Sequence, residues 1–380
     1  MPTDAHVSML QENLAKGLAI VGRAASTRST LPVLANTLIR AKDGQVTLTA
    51  TNLEIVLIAH VGAKVNEEFA ITLPTKTLTD LVNSLPPERV ELRYDKPTQQ
   101  VHLSCGRTEA NIKGIDADEF PMVPEVPVGG MAIKTDVLKQ MINRVSFAAA
   151  TDDARPILTG VNVVVKGKSV TMATTDGFRL SVANGDLTTF NEKDTAFVVP
   201  ARALSEVARV VFPTLEEVFI SFIEGRKQVI FNMESVILIS QLVDGNFPDY
   251  HPVIPTRHTT RTIIGLAELK QAVKMATSFA REASNTMRLE VNPGTGIVPG
   301  FVKVAATSAE TGDNQAQLDA TVEGGDIGIN LNAHFLSQVL GVIDTPQVMV
   351  ETTIANEPAV VNPVGQNGFV HVIMPMQFGR

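Results

Sequence analysis

Six segments of the chain carry apolar residues at i, i+3, i+4 and i+7, the spacing that lines one face of a helix. Three are Leu14, Gly17, Leu18, Val21; Leu78, Leu81, Val82, Leu85; and Leu138, Met141, Ile142, Val145. The others are Leu204, Val207, Ala208, Val211; Leu269, Ala272, Val273, Ala276; and Leu336, Val339, Leu340, Ile343. The first, third and fifth start 124 and 131 residues apart; the second, fourth and sixth start 126 and 132 apart. Two independent series therefore mark three copies of one unit, each near the usual size of a domain. Between the helices the period falls to two: QVTLTA, RVELRYD, QVHLSC, SVTMATT and FVKVAA alternate apolar and polar residues as half-buried strands do. DGQ, KGKS and NPGTG supply turn residues between strands, KGKS being read as a hairpin turn.

The fold class predicted is α+β, with three repeated domains of two helices backed by antiparallel sheets. Other stretches keep the same beat. PTKTLTDLVNSL is echoed by PARALSEVARVV and more faintly by NAHFLSQVLGVI, and TLPVLANTLI by RPILTGVNVV. DEFPMVP matches GNFPDYHPVIP, with Phe120 and Phe247 lying 127 apart. Boundaries are expected in PEVPVGG and PVIPTRHTT, dividing the chain into 1–126, 127–256 and 257–380.

Composition narrows the class. Of 380 residues 44% are hydrophobic and 19% charged, which fits a soluble globular chain. Cys105 stands alone, so no intrachain disulfide forms and a reducing, cytoplasmic setting is expected. No signal peptide is expected, and no apolar run reaches the ~18 residues of a membrane span. The formal charge of −8 runs against a nucleic-acid binder in bulk but leaves open where the cations sit.

Catalytic signatures are missing. The seven His do not form HExxH or a Cys/His ligand spacing, so neither metal nor cofactor is expected. There is no GxSxG elbow, and KGKS has Asn162 where a phosphate loop needs Gly. Asp176, in VTMATTDGFRLSVA, remains. A hydrolase or transferase on repeated domains would place it at its centre, with Asp152 and Asp153 as nearby acids. The alternative is that the Asp-Gly pair shapes a turn. The copy in the first repeat, LTATNLEIVLIAH, has the same build with no Asp-Gly, which favours the turn and a non-enzymatic chain.

Basic residues recur on the polar faces of the helices: Lys16 and Arg23, Lys76, Lys139 and Arg144, Arg202 and Arg209, Lys270 and Lys274, with only His334 on the sixth. An acidic chain that gathers cations on equivalent faces is suited to phosphates without base reading.

LPVLANTL, ATTDGFRL, LVDGNFPDY and the C-terminal VIMPM closely resemble the bacterial sliding clamp family, the β subunit of DNA polymerase III, along nearly the whole chain. The resemblance implies a head-to-tail homodimeric ring of six similar domains, twelve helices lining a hole that holds duplex DNA, and sheets forming the rim. It implies partners that dock short linear motifs: the polymerase III catalytic subunit, the clamp loader, other polymerases and mismatch-repair proteins. It places the chain in the cytoplasm, at the nucleoid during replication. Motif matches carry DNA contacts onto Arg28, Lys76, Arg155 and Arg202, while Lys16, Arg23, Lys139, Arg209, Lys270 and Lys274 follow from helix-face spacing alone. Pro156 and Ile157 stand where some relatives have aromatic residues.

The resemblance also implies a peptide pocket. It maps to Leu158, Thr175, Gly177, Phe178, Arg179 and Leu180, together with Pro248, Val253, Val372, Met374, Pro375 and Met376. Small apolar side chains and adaptable Met suit such a surface, with Arg179 expected as a polar rim. Pro252 replaces an Arg common in relatives, and the tail reads MPMQFGR where many relatives stop near an Arg-Leu pair. Phe279 aligns with a family subunit contact, facing Ile112 of the partner.

Overall fold

The computed structural model describes residues 5–26, 30–152, 154–223, 225–281, 284–296 and 298–376. All six apolar stripes are helices: α1 (Gln11–Val21), α2 (Thr75–Ser84), α3 (Thr135–Val145), α4 (Ala201–Val210), α5 (Leu266–Ala280) and α6 (Ala333–Val342). Each buries the stripe that predicts it, except that Leu81 of α2 stays half-buried; Leu14, Leu18, Val21, Leu269, Val273, Leu336 and Val339 are fully enclosed. Gly17 belongs on that face for a steric reason. A Cβ there would stand 2.7 Å from Leu48 and 2.9 Å from Val61, so its absence lets α1 settle on the strands beneath.

Every described strand pairing given with a register is antiparallel, and the packing falls into two compact units. Residues 1–136 with 206–242 form one. It holds a five-stranded sheet ending at the edge strand Thr108–Lys113, and a longer sheet that runs through Asn36–Lys42, Gln45–Thr51 and Ile55–Gly62. That longer sheet continues into Val236–Gln241 of the second repeat, with Val236 opposite Ala59. Residues 137–205 with 243–380 form the other unit. There Arg179–Pro200 of the second repeat pairs with Phe369–Ile373 of the third, Arg179 opposite Ile373. Strands thus pair across repeat boundaries, which is why the packing units differ from the three sequence units.

Turn chemistry follows the sequence at Asp43-Gly44. Both residues have positive φ (50° and 75°), the type I′ geometry whose twist suits a two-residue hairpin. KGKS does not. It lies inside the 16-residue strand Gly160–Thr175, which runs straight through it, and is no hairpin end. The register against Arg179–Pro200 shifts on both sides of Gly167, marking a β-bulge. Gly167 takes φ +58° with the Phe190 ring packed against it, a conformation a side chain would strain.

Candidate functional site

The segment VTMATTDGFRLSVA forms a turn tied by its own side chains. Thr175 Oγ1 donates to Arg179 O (2.6 Å) and accepts from Gly177 N (3.0 Å). Asp176 Oδ1 accepts from Phe178 N (2.9 Å) and Arg179 N (3.0 Å), while Oδ2 accepts from Arg179 Nε (2.9 Å). Both carboxylate oxygens are therefore occupied by the turn, and the catalytic reading of Asp176 fails. Asp152 accepts from Ala154 N at 3.1 Å as a loop former, and Asp153 lies outside the described residues. Among the described residues no three His, Cys, Asp or Glu side chains gather as a metal site.

The first repeat builds the same turn without Asp-Gly. Thr51 Oγ1 donates to Ile55 O (2.8 Å) and accepts from Leu53 N, and Asn52 Oδ1 accepts from Glu54 N and Ile55 N. In the third, Ser308 Oγ accepts from Glu310 N and Thr311 N. Leu53 takes the left-handed φ (+77°) that Gly177 takes in the second repeat (+94°), and is half exposed. Over Gly177 lies the exposed side chain of Arg155. A Cβ at Gly177 would meet Arg155 Nη1 at 3.0 Å, and Arg155 Nη2 donates to Asp176 O at 2.9 Å. Above the second copy the surface opens into a hollow.

That space is a cavity of about 260 Å³ lined by Arg155, Leu158, Thr175, Gly177, Arg179, Leu180, Pro248, Asp249, Tyr250, Val253, Val372 and Met374. Nine of the twelve residues expected at the pocket converge here. Leu158 arrives on the 3₁₀ turn Pro156–Thr159, Val253 on His251–Val253, and Val372 beside Leu180 in the paired strands. The floor is apolar: Ala173, Leu180, Val182, Tyr250, Val360 and Val372 form one buried cluster. The rim is apolar and open, with Val253 41% and Met374 38% exposed. Phe178 stands clear of the lining at 62% exposure. Pro375 and Met376 are half-buried beyond it, where Met376 N donates to Asn330 O at 2.8 Å. Pro252 is exposed within its 3₁₀ turn, and the residues after Met376 lie outside the described ones.

Arg179 is not the expected rim. Only 7% exposed, it donates to Asp176, to Phe147 O (2.7 Å) and to Gln338 Oε1, and its guanidinium lies over the Phe335 ring at 4.3 Å. Burial pushes its pKa below the ordinary arginine value and Asp176 partly offsets this, so it is a structural pin holding the strand to α6. Asp249 and Tyr250, both in LVDGNFPDY, line the cavity beyond the residues the sequence predicts there, and so does Arg155, which the resemblance assigns to DNA. Tyr250 stacks on His251 (4.5 Å between centroids), and burial followed by the Asp249 charge raises its pKa.

The cations sort into three groups. Lys16, Lys76, Arg202 and Lys274 are exposed on their helices, and Lys139 and Lys270 are half-buried. Arg23 and Arg209 are not free: the first lies two residues past α1, and both pair with the buried Glu206. Arg144, expected on a polar face, is buried, donating to Gln366 Oε1 (2.5 Å) and over the Phe369 ring. Helix periodicity misplaced it because Asp344 and Gln366 come from distant segments to cover that flank. Arg28 lies outside the described residues. Lys16 also lines a second cavity of about 260 Å³ with Asn13, His60 and Phe212, where burial lowers the His60 pKa. Of the two interface candidates, Ile112 is buried against its own sheet opposite Val101, and Phe279 is half-buried on α5.

Comparison with known proteins places the arrangement. Family models for the DNA polymerase III β subunit match in order: the N-terminal domain over residues 5–124, the central domain over 132–249 and the C-terminal domain over 251–377. The β sliding clamp of Staphylococcus aureus is 29% identical over 365 residues, covering 93% of this chain and 94% of that one. The crystal structure of the DNA polymerase sliding clamp from Bacillus subtilis superposes with a TM-score of 0.92 at 26% identity, covering 99% of this chain and all of the other. That of the DNA polymerase III subunit β from Pseudomonas aeruginosa gives 0.89 at 29%, over 98% of this chain and all of the other. With three domain models of one family laid end to end over a chain that repeats three times, this protein belongs to the family of DNA polymerase III β subunits, the bacterial sliding clamps.

Proposed function

We propose that this chain is a non-catalytic processivity factor: two copies close into a ring around duplex DNA and tether the replicative polymerase and other DNA-processing proteins in the cytoplasm. The observation that carries the reading is the threefold recurrence of the unit, seen in helices, turns and family matches alike. The division into 1–126, 127–256 and 257–380 assigns one clamp domain to each copy. Exposed cations on the helices meet the phosphate backbone. Such contacts hold the duplex without reading it, and that leaves the ring free to slide.

The cavity beneath Gly177 takes a short linear peptide. Its volume lies just under the small-molecule range of about 300–1,000 Å³, which admits anchor side chains and excludes a folded domain. Val253 and Met374 meet the ligand at the rim, Leu158, Leu180 and Val372 form the base, and Arg179 sets its shape from below. Phe178 flanks the entrance, and Pro375 with Met376 fixes the chain that carries Met374. Polymerase, clamp loader and mismatch-repair proteins would share this pocket. Phe279 supports ring closure from α5, whereas Ile112 acts by holding the edge strand Thr108–Lys113 in its sheet, not by direct contact.

The purified protein is expected to run at twice 40.8 kDa. Loaded on a closed circle, it should remain bound in moderate salt and leave when the circle is cut; equal release from both forms would refute encirclement. Val253→Asp with Met374→Ala, both at the open rim, should weaken a Gln-Leu-x-Leu-Phe peptide at least tenfold by calorimetry while the dimer persists. Unchanged affinity would remove the pocket assignment.

A further inference from the structure

We infer that Glu206 is a positioning residue for the DNA backbone: it fixes Arg23 and Arg209 as a paired guanidinium seat for one phosphodiester group. The inference rests on the reading that the basic helix faces meet duplex DNA.

Glu206 sits on α4 with its side chain 9% exposed, yet each oxygen is used. Oε1 accepts from Arg209 Nη1 at 2.8 Å, three residues along the same helix, and Oε2 accepts from Arg23 Nε. Arg23 arrives from 183 positions away, just past the end of α1. The arginines themselves stay partly open, their side chains 38% and 61% exposed. Their other guanidinium nitrogens have no hydrogen-bond partner among the described residues.

As plain electrostatics this carboxylate works against a polyanion. It cancels one of two cations, and burying it carries a desolvation penalty that its partners must offset. What it supplies is geometry. A free arginine loses rotamer freedom when it grips a ligand, whereas these two are already restrained by their bonds to Glu206. Each planar fork keeps N–H donors directed away from the shared carboxylate. The two non-bridging oxygens of a phosphodiester accept from such forks in charge-assisted bonds that read no sequence. Lys16 and Arg202, both exposed and without an ion pair among the described residues, contribute charge without this fixed placement.

The test sets geometry against charge. The dimer is titrated with a short fluorescein-labelled duplex, read by anisotropy over a series of NaCl concentrations. Glu206→Gln keeps the side-chain shape and adds one net positive charge per subunit, yet binding is expected to weaken about threefold. Arg209→Ala should weaken it further and flatten the log–log salt slope by about 0.9, one phosphate contact. In an Arg23→Ala, Arg209→Ala background Glu206→Gln should no longer weaken binding and should tighten it slightly, the charge effect alone, as a residue acting through those two requires. Glu206→Asp, which keeps the charge but draws the pair apart, should fall between wild type and Glu206→Gln, and serves if the latter fails to dimerise. Equal or tighter binding by Glu206→Gln, the direction added charge gives by itself, would overturn the inference. If Lys16→Ala and Arg202→Ala weaken binding while the Glu206 variants do not, only this inference falls. If none of them changes binding, the reading of the helix face falls with it.

Discussion

Asn52 and Asp176 hold equivalent turns with one side-chain oxygen each, and what separates them is the use of the second atom. In Asp176 that atom is Oδ2, which accepts from the buried Arg179; the residue in Arg179's place in the first repeat is Ile55, which asks for nothing. Asp176→Asn should therefore preserve the turn, as Asn52 demonstrates, while depriving a buried guanidinium of its counter-charge. Hydrogen bonds to charged groups contribute roughly 1.5–3 kcal/mol. A loss of about 2 kcal/mol is expected, read as faster amide exchange in Arg179–Pro200, and a loss below about 0.5 kcal/mol would show that Gln338 and Phe147 satisfy Arg179 without it. The turn was legible in TTDGFRL because Asx and Thr side chains act within four residues. Arg179 was not, since Phe335 and Gln338 on α6 decide its burial and no local pattern announces them.

Helices were read well for the same reason in reverse: an apolar stripe is a local pattern with a fixed period, and tertiary packing uses the stripe it predicts. The periodicity failed only on flanks. Arg144 and Lys139 lie on opposite flanks of the apolar stripe of α3, about 140° apart, and only the covering segment at Asp344 and Gln366 tells which is inside. KGKS was misread because the residues that make a hairpin turn, Gly above all, also make a bulge; the choice depends on how far the partner strand extends. Gly17 gives a test of stripe packing. Gly17→Ala should stabilise an isolated α1 by up to about 1 kcal/mol through helix propensity. In the folded chain the new methyl meets Leu48 and Val61 inside 3 Å, and overpacking of this kind costs about 1–3 kcal/mol. Net destabilisation is expected, seen as a lower urea midpoint; a raised midpoint would mean the strands yield to the added group.

The three sequence units and the two packing units describe one chain because sheets run across the repeats, so the seams between copies carry buried interactions of their own. His371 sits in such a seam. It is fully buried in Phe369–Ile373, shares a 2.6 Å hydrogen bond with Ser181 Oγ across the strand pair, and packs on Phe147. Desolvation, then the charge of Arg179, lowers its pKa to about 3 from 6.5. The unfolded chain therefore binds a proton that the folded chain refuses in the window between those values. Stability is fully present above about pH 6.5 and declines as pH falls through the window toward pH 3, at ~1.4 kcal/mol per pH unit. By pH 5 this one side chain should remove about 2 kcal/mol relative to neutral pH. His371→Asn, which cannot protonate, should start less stable at pH 7 because of the cavity it leaves, yet lose about 2 kcal/mol less on going to pH 5. Amide exchange of Phe369–Ile373 at the two pH values, corrected for intrinsic rates, reads the difference. Parallel losses in both proteins would mean that the histidine finds a way to accept its proton in place, and that the seam between the second and third repeats opens more readily than its burial implies.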